Sequence, residues 1–215
     1  MLLVVVLALD TATPTLVAGV ARWSPEAGTE VRAVRAVPSG NRHAVLLTPA
    51  VRGVLEDAGL PMSALDAVVT GLGPGPFTGL RVGIVTALTV ADARGLPAVG
   101  VCSLDAVGSG ERTVVTDARR KEVYWAAYAA DGRRTDGPGV VRPEDLRAAA
   151  PVVGDPAFAE RLGLPVTAAE VTTAGLLRAA AVQLADPASA GPLVPLYLRR
   201  PDATPPAAIK AVSPT

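Results

Sequence analysis

The sequence predicts an α/β protein built from two related halves, and three observations support this fold class. Apolar runs typical of strands alternate with longer segments in which apolar residues recur at helical spacing. A segment rich in glycine and proline, Gly71–Gly83, separates a strand from a helix. A strand that ends in an aspartate and returns through a short turn occurs twice, at Asp10 and at Asp117. This repeat predicts an internal duplication with a boundary near Ala106–Arg112, and chance similarity of two short hairpins is the alternative.

Length and composition limit the class of protein. The 215 residues suffice for one large domain or two small ones. The mean hydropathy is high, at +0.38, yet 20 basic and 20 acidic residues are spread along the chain. No apolar run reaches the roughly 20 residues that span a bilayer, and the apolar start lacks the basic residues of a signal peptide. We therefore expect a soluble, cytoplasmic protein that does not contact a membrane.

The inventory of reactive side chains is short. One histidine, His43, and one cysteine, Cys102, exclude a disulfide framework and a His/Cys zinc site within a single chain. Zero net charge and a pI near 6.6 argue against autonomous nucleic-acid binding. With few aromatic residues, the chain also lacks an evident platform on which bases would stack.

The first half is predicted to contain five strands and two helices. Pro49 should kink the first helix or lie near its start, and Gly95 should end the second. The predicted strands are Leu2–Asp10, Leu16–Trp23, Val31–Val37, Asp66–Leu72 and Ala98–Cys102, and the helices are Asn41–Ala58 and Gly79–Arg94.

The loop before the second helix is predicted to be a tight structural turn. Its glycines permit close backbone approach, its prolines stiffen it, and Thr78 is a candidate N-cap. A helix start of this kind can hold an anion, but the segment matches neither a Walker A loop nor a dinucleotide fingerprint. The loop residues that we single out are Gly71, Gly73, Pro74, Gly75, Phe77 and Thr78.

The second half gives a weaker pattern. It opens with the strand Thr113–Arg119 and the returning strand Val123–Ala130. A short helix is expected at Glu144–Ala149, a brief strand at Val152–Gly154, and a helix capped by Thr172 or Thr173 at Ala174–Ala185. The proline-rich tail from Gly191 is expected to be irregular and partly mobile.

Four segments together resemble the TsaB (YeaZ) family, and the likeness covers nearly the whole chain. They are Leu7–Thr13, Gly71–Gly83, Asp117–Tyr124 and Pro195–Arg199. The two hairpins ending in aspartate are also similar to those of the actin, Hsp70 and sugar kinase (ASKHA) superfamily. The resemblance implies a two-lobed actin-like fold of tandem ribonuclease H-like lobes, with residues 1–106 as the first lobe and a reduced second lobe at 107–215.

The resemblance also implies a function. The family takes part in bacterial formation of threonylcarbamoyladenosine in tRNA, as a non-catalytic subunit that dimerises with the catalytic paralogue TsaD and supports binding of the ATPase TsaE. On this basis we expect contact with tRNA only within the complex, and a possible homodimer when the chain is alone. Ser103 and Val107 stand where TsaD has metal-binding histidines, so no metal and no catalytic residue are expected.

The nucleotide site of the superfamily is expected to be degenerate. Its remnants are Asp10, Thr11 and Asp117, and Pro14 removes an amide donor from the first turn. Weak adenine-nucleotide binding at the complex interface is one outcome. The favoured alternative is that both aspartates accept hydrogen bonds from amides of their own turns.

A joint surface of the two first-half helices is the expected partner interface. Small residues recur every four positions on the second helix beside an apolar ridge, although each position has an alternative role in the chain's own core. His43 is expected to pack or cap there rather than act as a base. The interface residues are His43, Leu47, Ala50, Val51, Val54, Gly79, Leu80, Gly83, Ile84, Ala87, Leu88 and Ala91.

Two other functions are kept as alternatives. The first is an actin-like ATPase or kinase with its own nucleotide turnover, which would depend on Asp10 and Asp117. The second is a metalloprotease, which the missing histidines disfavour.

Overall fold

The first half of the chain forms a five-stranded mixed sheet. The computed structural model describes residues 3–40, 42–148 and 150–199. The strands are β1 (Val4–Asp10), β2 (Thr15–Ser24), β3 (Gly28–Pro38), β4 (Ala67–Gly71) and β5 (Ala98–Val101). Their spatial order is β3-β2-β1-β4-β5, with β1, β2 and β3 antiparallel and both β4 and β5 parallel to β1. All five strands were predicted. The first was predicted as Leu2–Asp10; Leu2 lies outside the described residues, and Leu3 precedes β1.

The second half forms another five-stranded sheet with the same topology. Its strands are β6 (Arg112–Asp117), β7 (Val123–Tyr128), β8 (Arg134–Val141), β9 (Val152–Gly154) and β10 (Val166–Ala168). The spatial order is β8-β7-β6-β9-β10, with an antiparallel β6-β7-β8 meander and a parallel β6-β9-β10 portion. Strand for strand, this is the order and direction of the first sheet, so the repeat seen around two aspartates extends to both sheets.

Five helices flank the two sheets in the described part of the chain. They are α1 (His43–Asp57), α2 (Phe77–Arg94), α3 (Ala159–Leu162), α4 (Thr173–Ala179) and α5 (Ala181–Ala185). Because successive residues of a strand face opposite sides, Leu7 and Leu9 of β1 pack in the core under α1 and α2. Val6 and Ala8 join a second core that contains residues of the other sheet and of α4.

The ends of the first-half helices differ in part from the prediction. Asn41 lies outside the described residues, and α1 begins at His43 with Pro49 in its interior. The N-cap of α2 is Pro76, in an extended conformation, so the prediction of Thr78 as the cap was wrong, and no side chain caps this end. Thr78 falls inside the first turn instead. Gly95 ends α2 in the left-handed region, as predicted, with φ of 64°.

The second half is less helical than the sequence predicts. Pro143–Asp145 forms a single 3₁₀ turn in place of the expected helix Glu144–Ala149, whose last residue lies outside the described part. The alanine-rich helix is divided at Ala180, between α4 and α5. The hydroxyl of Thr172 accepts a 3.0 Å hydrogen bond from the amide of Gly175, which identifies Thr172 as the cap.

The chain between the sheets is held by two arginines, of which Arg112 is buried and Arg178 is exposed. The side chain of Arg112, 2% exposed, donates to the carbonyl of Val107 at 2.6 Å and lies 4.0 Å from the ring centroid of Tyr128. Arg178 of α4 donates to the carbonyl of Gly108 at 2.7 Å. These hydrogen bonds hold the linker between β5 and β6 at Val107 and Gly108. The division into lobes after Ala106 falls at the start of this linker and stays a prediction.

The predicted tail from Gly191 is irregular as far as Arg199, and residues 200–215 lie outside the described part. Among the described residues, no helix combines the length and apolarity needed to cross a membrane.

Candidate functional site

The Asp10 carboxylate lies at the end of β1 and is wholly enclosed by the protein. One oxygen accepts a hydrogen bond from the amide of Ala12 at 2.9 Å, as the favoured sequence interpretation expects. The other accepts a 2.5 Å bond from the hydroxyl of Ser103, which follows β5. The same hydroxyl accepts from the amide of Gly73 at 3.1 Å. Both carboxylate oxygens of Asp10 therefore have hydrogen-bond partners inside the protein.

Burial raises the pKa of Asp10 to about 6, because removal of water disfavours the charged carboxylate. The bonds from Ser103 and Ala12 act in the opposite direction, as does the nearby His43. Desolvation is the larger effect, so the net shift of the Asp10 pKa is upward.

The glycines of the central loop are required by close contacts. A β-carbon on Gly71 would overlap the carboxylate of Asp10 and the hydroxyl of Ser103. A β-carbon on Gly75 would overlap the carbonyl of Ala12. Gly73 has φ of 96°, a conformation that favours glycine. The loop is packed tightly against the first hairpin turn, and these contacts leave no room for a side chain at Gly71 or Gly75.

The small-residue stripe of α2 faces that same hairpin turn. The hydroxyl of Thr11 donates to the carbonyl of Gly79 at 2.7 Å, and a β-carbon on Gly83 would overlap this hydroxyl. Ala87 and Ala91 continue the stripe into the core beneath β1. The sequence interpretation favoured a partner helix on this stripe, but the structure corrects it: the close contact is with the chain's own β1–β2 turn.

The other predicted interface residues are also buried in this chain, with one exception. Leu88 is 44% exposed. His43 is 5% exposed and its Nε2 lies 3.0 Å from the carbonyl of Thr13, in keeping with the expected packing role. The buried residues, which thus follow the core alternative, are His43, Leu47, Ala50, Val51, Val54, Gly79, Leu80, Gly83, Ile84, Ala87 and Ala91.

Four large apolar side chains on these helices are exposed: Phe77 at the start of α2, Val45, Val85 and Leu88. The sequence interpretation gave Val45 and Val85 no role. Val45 of α1 is 67% exposed and Val85 of α2 is 58% exposed, beside Leu88 one turn further along α2. The two helices contact each other. The spacing of Val85 and Leu88 is a signal that could have been noticed, because residues three apart share a helix face.

Two clefts meet at the second hairpin turn, and Asp117 lines both. The larger, about 590 Å³, is bordered by the α2 start, by Asp117 and Arg119, and by Tyr197 and Arg199. The smaller, about 440 Å³, lies between the first hairpin turn and residues 154–158. Asp117 is exposed and accepts a 2.9 Å bond from the amide of Arg119. Asp10 lines neither cleft, so the two aspartates do not form one open site.

An irregular segment at the end of the described chain, residues 192–199, bridges the two sheets beside the larger cleft. The amide of Leu196 donates to the carbonyl of Leu72 at 2.8 Å. The ring of Tyr197 stacks on that of Phe77, with centroids 4.8 Å apart, and its hydroxyl accepts from Arg81 at 3.2 Å. Sequence reasoning gave residues 192–199 no chemical role. We call 192–199 the bridging segment.

The distal end of the bridging segment contacts the second hairpin. Arg199 donates to the carbonyl of Ala118 at 2.8 Å and forms an ion pair with Glu122. Through Leu72 at one end and Ala118 at the other, this segment joins the two halves of the chain.

Metal ligands are not gathered anywhere in the described ranges. No group of three or more His, Cys, Asp or Glu side chains there is arranged to hold a metal ion. Ser103 and Val107, at the positions where the resemblance places histidines, are both 1% exposed. Cys102 is buried, and desolvation raises the pKa of its thiol to about 11, so the thiol stays protonated at neutral pH.

Comparisons with known proteins agree on one family. A sequence model described as "TsaD: tRNA N6-adenosine threonylcarbamoyltransferase" matches residues 37–186. An uncharacterized protein of Mycobacterium tuberculosis is 50% identical over 93% of this chain and 94% of its own length. The tRNA threonylcarbamoyladenosine biosynthesis protein TsaB of Escherichia coli is 33% identical over 65% of this chain and 63% of its own length. The solved structure of YeaZ from Pseudomonas aeruginosa superposes with a TM-score of 0.73 at 28% identity, covering 91% of this chain and all of that one.

Proposed function

Because the chain belongs to the TsaD family and within it resembles TsaB (YeaZ), we propose that it is a non-catalytic subunit for forming threonylcarbamoyladenosine in tRNA. The observation that carries the proposal is the likeness to TsaB and YeaZ in both sequence and structure. We further propose that it pairs with TsaD, supports TsaE binding, and works in the cytoplasm, where tRNA is modified.

The state of Asp10 supports the absence of catalysis. Its two oxygens are bonded to Ala12 and Ser103, and the side chain is fully buried. To hold a metal–nucleotide, this carboxylate would need to leave both partners and regain access to solvent. Asp117 is exposed, but it lies on a turn of bulky basic residues rather than the glycine-rich turn typical of phosphate cradles. We therefore propose no more than weak adenine-nucleotide binding, in the complex.

The shared topology of the two sheets supports a tandem, actin-like architecture. The second half repeats the strand order of the first but has shorter helices between its strands. We propose that it is a reduced copy of the first lobe. A duplicated fold of this kind gives TsaD and this chain related surfaces, which favours pairing between them.

The exposed apolar side chains of α1 and α2 support a partner-binding surface. Val45, Val85 and Leu88 are more than a third exposed, and burying each against a partner would stabilise association by roughly 1–2 kcal/mol. The same surface explains how a homodimer would form when TsaD is absent. We propose that this surface contacts TsaD.

The test is a pair of variants followed by co-purification with TsaD. In Val85→Asp/Leu88→Asp, both side chains are already exposed, so we expect an unchanged melting temperature. We expect this variant to lose TsaD and to fail to restore threonylcarbamoyladenosine in cells that lack their own TsaB. The matched control is Val182→Asp on α5, where the side chain is 73% exposed. Full binding and modification by the α2 variant would contradict the proposed surface.

Nucleotide turnover by the isolated chain distinguishes the alternative function. We expect no ATP hydrolysis by the purified chain. Hydrolysis that co-elutes with the protein and is abolished by Asp117→Ala would establish an actin-like ATPase instead.

A further inference from the structure

The exposed face of α2 continues onto the bridging segment through two stacked rings. Four exposed residues of α2 share one helix face because they are spaced by three or four positions: Phe77, Arg81, Val85 and Leu88. Tyr197 stacks on Phe77, and the guanidinium of Arg81 lies 4.1 Å from the centroid of the Phe77 ring. Phe77 is 37% exposed and Tyr197 is 39% exposed. We call these two residues the aromatic pair. A partner that lies along α2 would therefore reach the bridging segment at Tyr197.

The bridging segment has the features of a locally weak element. Residues 192–199 belong to no helix or strand. Three leucines of the segment are half-buried at the edges of two apolar clusters: Leu193, Leu196 and Leu198. A segment with half-buried apolar contacts and no ladder of backbone hydrogen bonds opens at a lower free energy than the strands of a sheet. We therefore expect a docked and a released form of the segment to exchange within the folded chain.

The same segment holds the second hairpin turn. The guanidinium of Arg199 donates to the carbonyl of Ala118 at 2.8 Å and pairs with the carboxylate of Glu122, on the two sides of the turn. Asp117, next to Ala118, lines both clefts. One residue separates Tyr197 from Arg199, so release of the segment at Tyr197 also loosens the hold of Arg199 on the turn.

We propose that partner binding at the aromatic pair stabilises the second hairpin turn through the bridging segment, and with it one wall of the larger cleft. This inference rests on the proposed function, in which the partner on α2 is TsaD. A partner that buries Tyr197 on Phe77 binds the docked form of the segment and shifts the local equilibrium toward that form. Because Arg199 bonds the turn only in the docked form, the turn is stabilised at a distance from the partner. Any ligand of the larger cleft would then bind the complex more tightly than the isolated chain.

The first test compares amide hydrogen exchange of the chain alone and in its purified complex with TsaD. In the parent, we expect TsaD to slow exchange in the peptide covering residues 117–123 by about fivefold to tenfold. In Arg199→Ala this slowing should be lost, while peptides of α2 stay protected. The matched control is Arg133→Ala, which removes an exposed cation beyond the far end of β7 and should behave as the parent does.

Two results of this comparison would overturn the proposal. One is a parent complex in which TsaD protects α2 but leaves exchange at 117–123 unchanged. The other is equal slowing in the parent and in Arg199→Ala, which would show that TsaD touches the turn directly.

The second test uses the isolated chain. Tyr197→Ala removes the stack, so the segment should be released more often and exchange at 117–123 should become about fivefold faster. Tyr197→Phe keeps the ring and Val194→Ala shortens a 58% exposed side chain of the same segment, so both should match the parent. In the double variant Tyr197→Ala/Arg199→Ala, exchange should be no faster than in Arg199→Ala alone, because both changes act through one segment.

The second test also separates this inference from the proposed function, since it needs no partner. If the parent chain fails to bind TsaD, the proposed function fails, and faster exchange in Tyr197→Ala still sustains the coupling between the aromatic pair and the turn. Unchanged exchange at 117–123 in Tyr197→Ala, or additive effects in the double variant, would overturn the coupling.

Discussion

The hydroxyl of Ser103 donates a 2.5 Å hydrogen bond to the carboxylate of Asp10, across 93 positions of sequence. It also accepts from the amide of Gly73, so one buried side chain connects β1, the central loop and the segment after β5. This arrangement makes Asp10 a structural acid, and its raised pKa gives the fold a dependence on pH that can be measured.

Asp10→Asn should alter the pH dependence of stability between about pH 4 and pH 6. The pKa of Asp10 rises from 3.8 to about 6 on folding, so the folded state binds its proton more tightly than the unfolded state. Stability from this group is therefore present at low pH and decreases as pH rises through the window, by about 3 kcal/mol in total. Asparagine does not titrate, so the free energy of unfolding of the variant, relative to that of the parent, should increase by up to about 3 kcal/mol between pH 4 and pH 7.

Urea unfolding at a series of pH values measures this difference. The control for a general loss of charge is Asp66→Asn. The Asp66 carboxylate lies at the other end of the sheet and accepts a hydrogen bond from the amide of Val5. Parallel profiles for the parent and Asp10→Asn would contradict the raised pKa.

Ser103→Ala should destabilise the protein more at pH 7 than at pH 4.5. The substitution leaves the amide of Gly73 and one oxygen of Asp10 without their partner, and a buried unsatisfied group costs about 1–3 kcal/mol. The cost is larger when Asp10 is charged. Unfolding free energies at both pH values test this, with the exposed Ser63→Ala as control. Equal losses at the two pH values would show that the bond does not depend on the carboxylate charge.

Gly83→Leu should lower the stability of the chain itself, because Gly83 packs against Thr11 of the same chain. A side chain there would displace Thr11, whose hydroxyl bonds the carbonyl of Gly79. Overpacking of this kind costs about 1–3 kcal/mol or more, which lowers the melting temperature of a chain this size by several degrees. Calorimetry is the measurement, and Val85→Leu, exposed on the same helix, is the control. An unchanged melting temperature would mean that the stripe is not tightly packed.

Arg199→Ala should loosen the second hairpin while the first sheet keeps its stability. The change removes the bond to the carbonyl of Ala118 and the ion pair with Glu122. We expect faster amide hydrogen exchange in the peptide covering residues 117–123, by about fivefold to tenfold, and no change in β1. Arg133→Ala is the matched control. Unchanged exchange at 117–123 would show that the bridging segment does not hold the turn.

Local sequence determined the strands of the first half, the two long helices and the central loop. Alternating or continuous apolar runs, helical spacing and Gly95 after α2 are signals that a short segment carries by itself. The repeated hairpin ending in aspartate was enough to predict a duplication. The two sheets have the same strand order, so the repeat includes all five strands of each half. In the second half the elements are short, so their signals were weaker and the helix predicted at Glu144–Ala149 was replaced by a 3₁₀ turn.

Tertiary structure alone decided which surface each helix presents. An apolar or small residue gives the same sequence signal whether it packs on its own sheet or on a partner. Gly83 lies against Thr11 because β1 and α2 are neighbours in space, and Leu88 is exposed because it points from the opposite side of α2. Likewise, the bond between Asp10 and Ser103 forms because the carboxyl ends of β1 and β5 lie on the same side of the parallel β1-β4-β5 part of the sheet. Periodicity predicts an element and its apolar face, whereas contacts between residues far apart in sequence depend on how the elements pack.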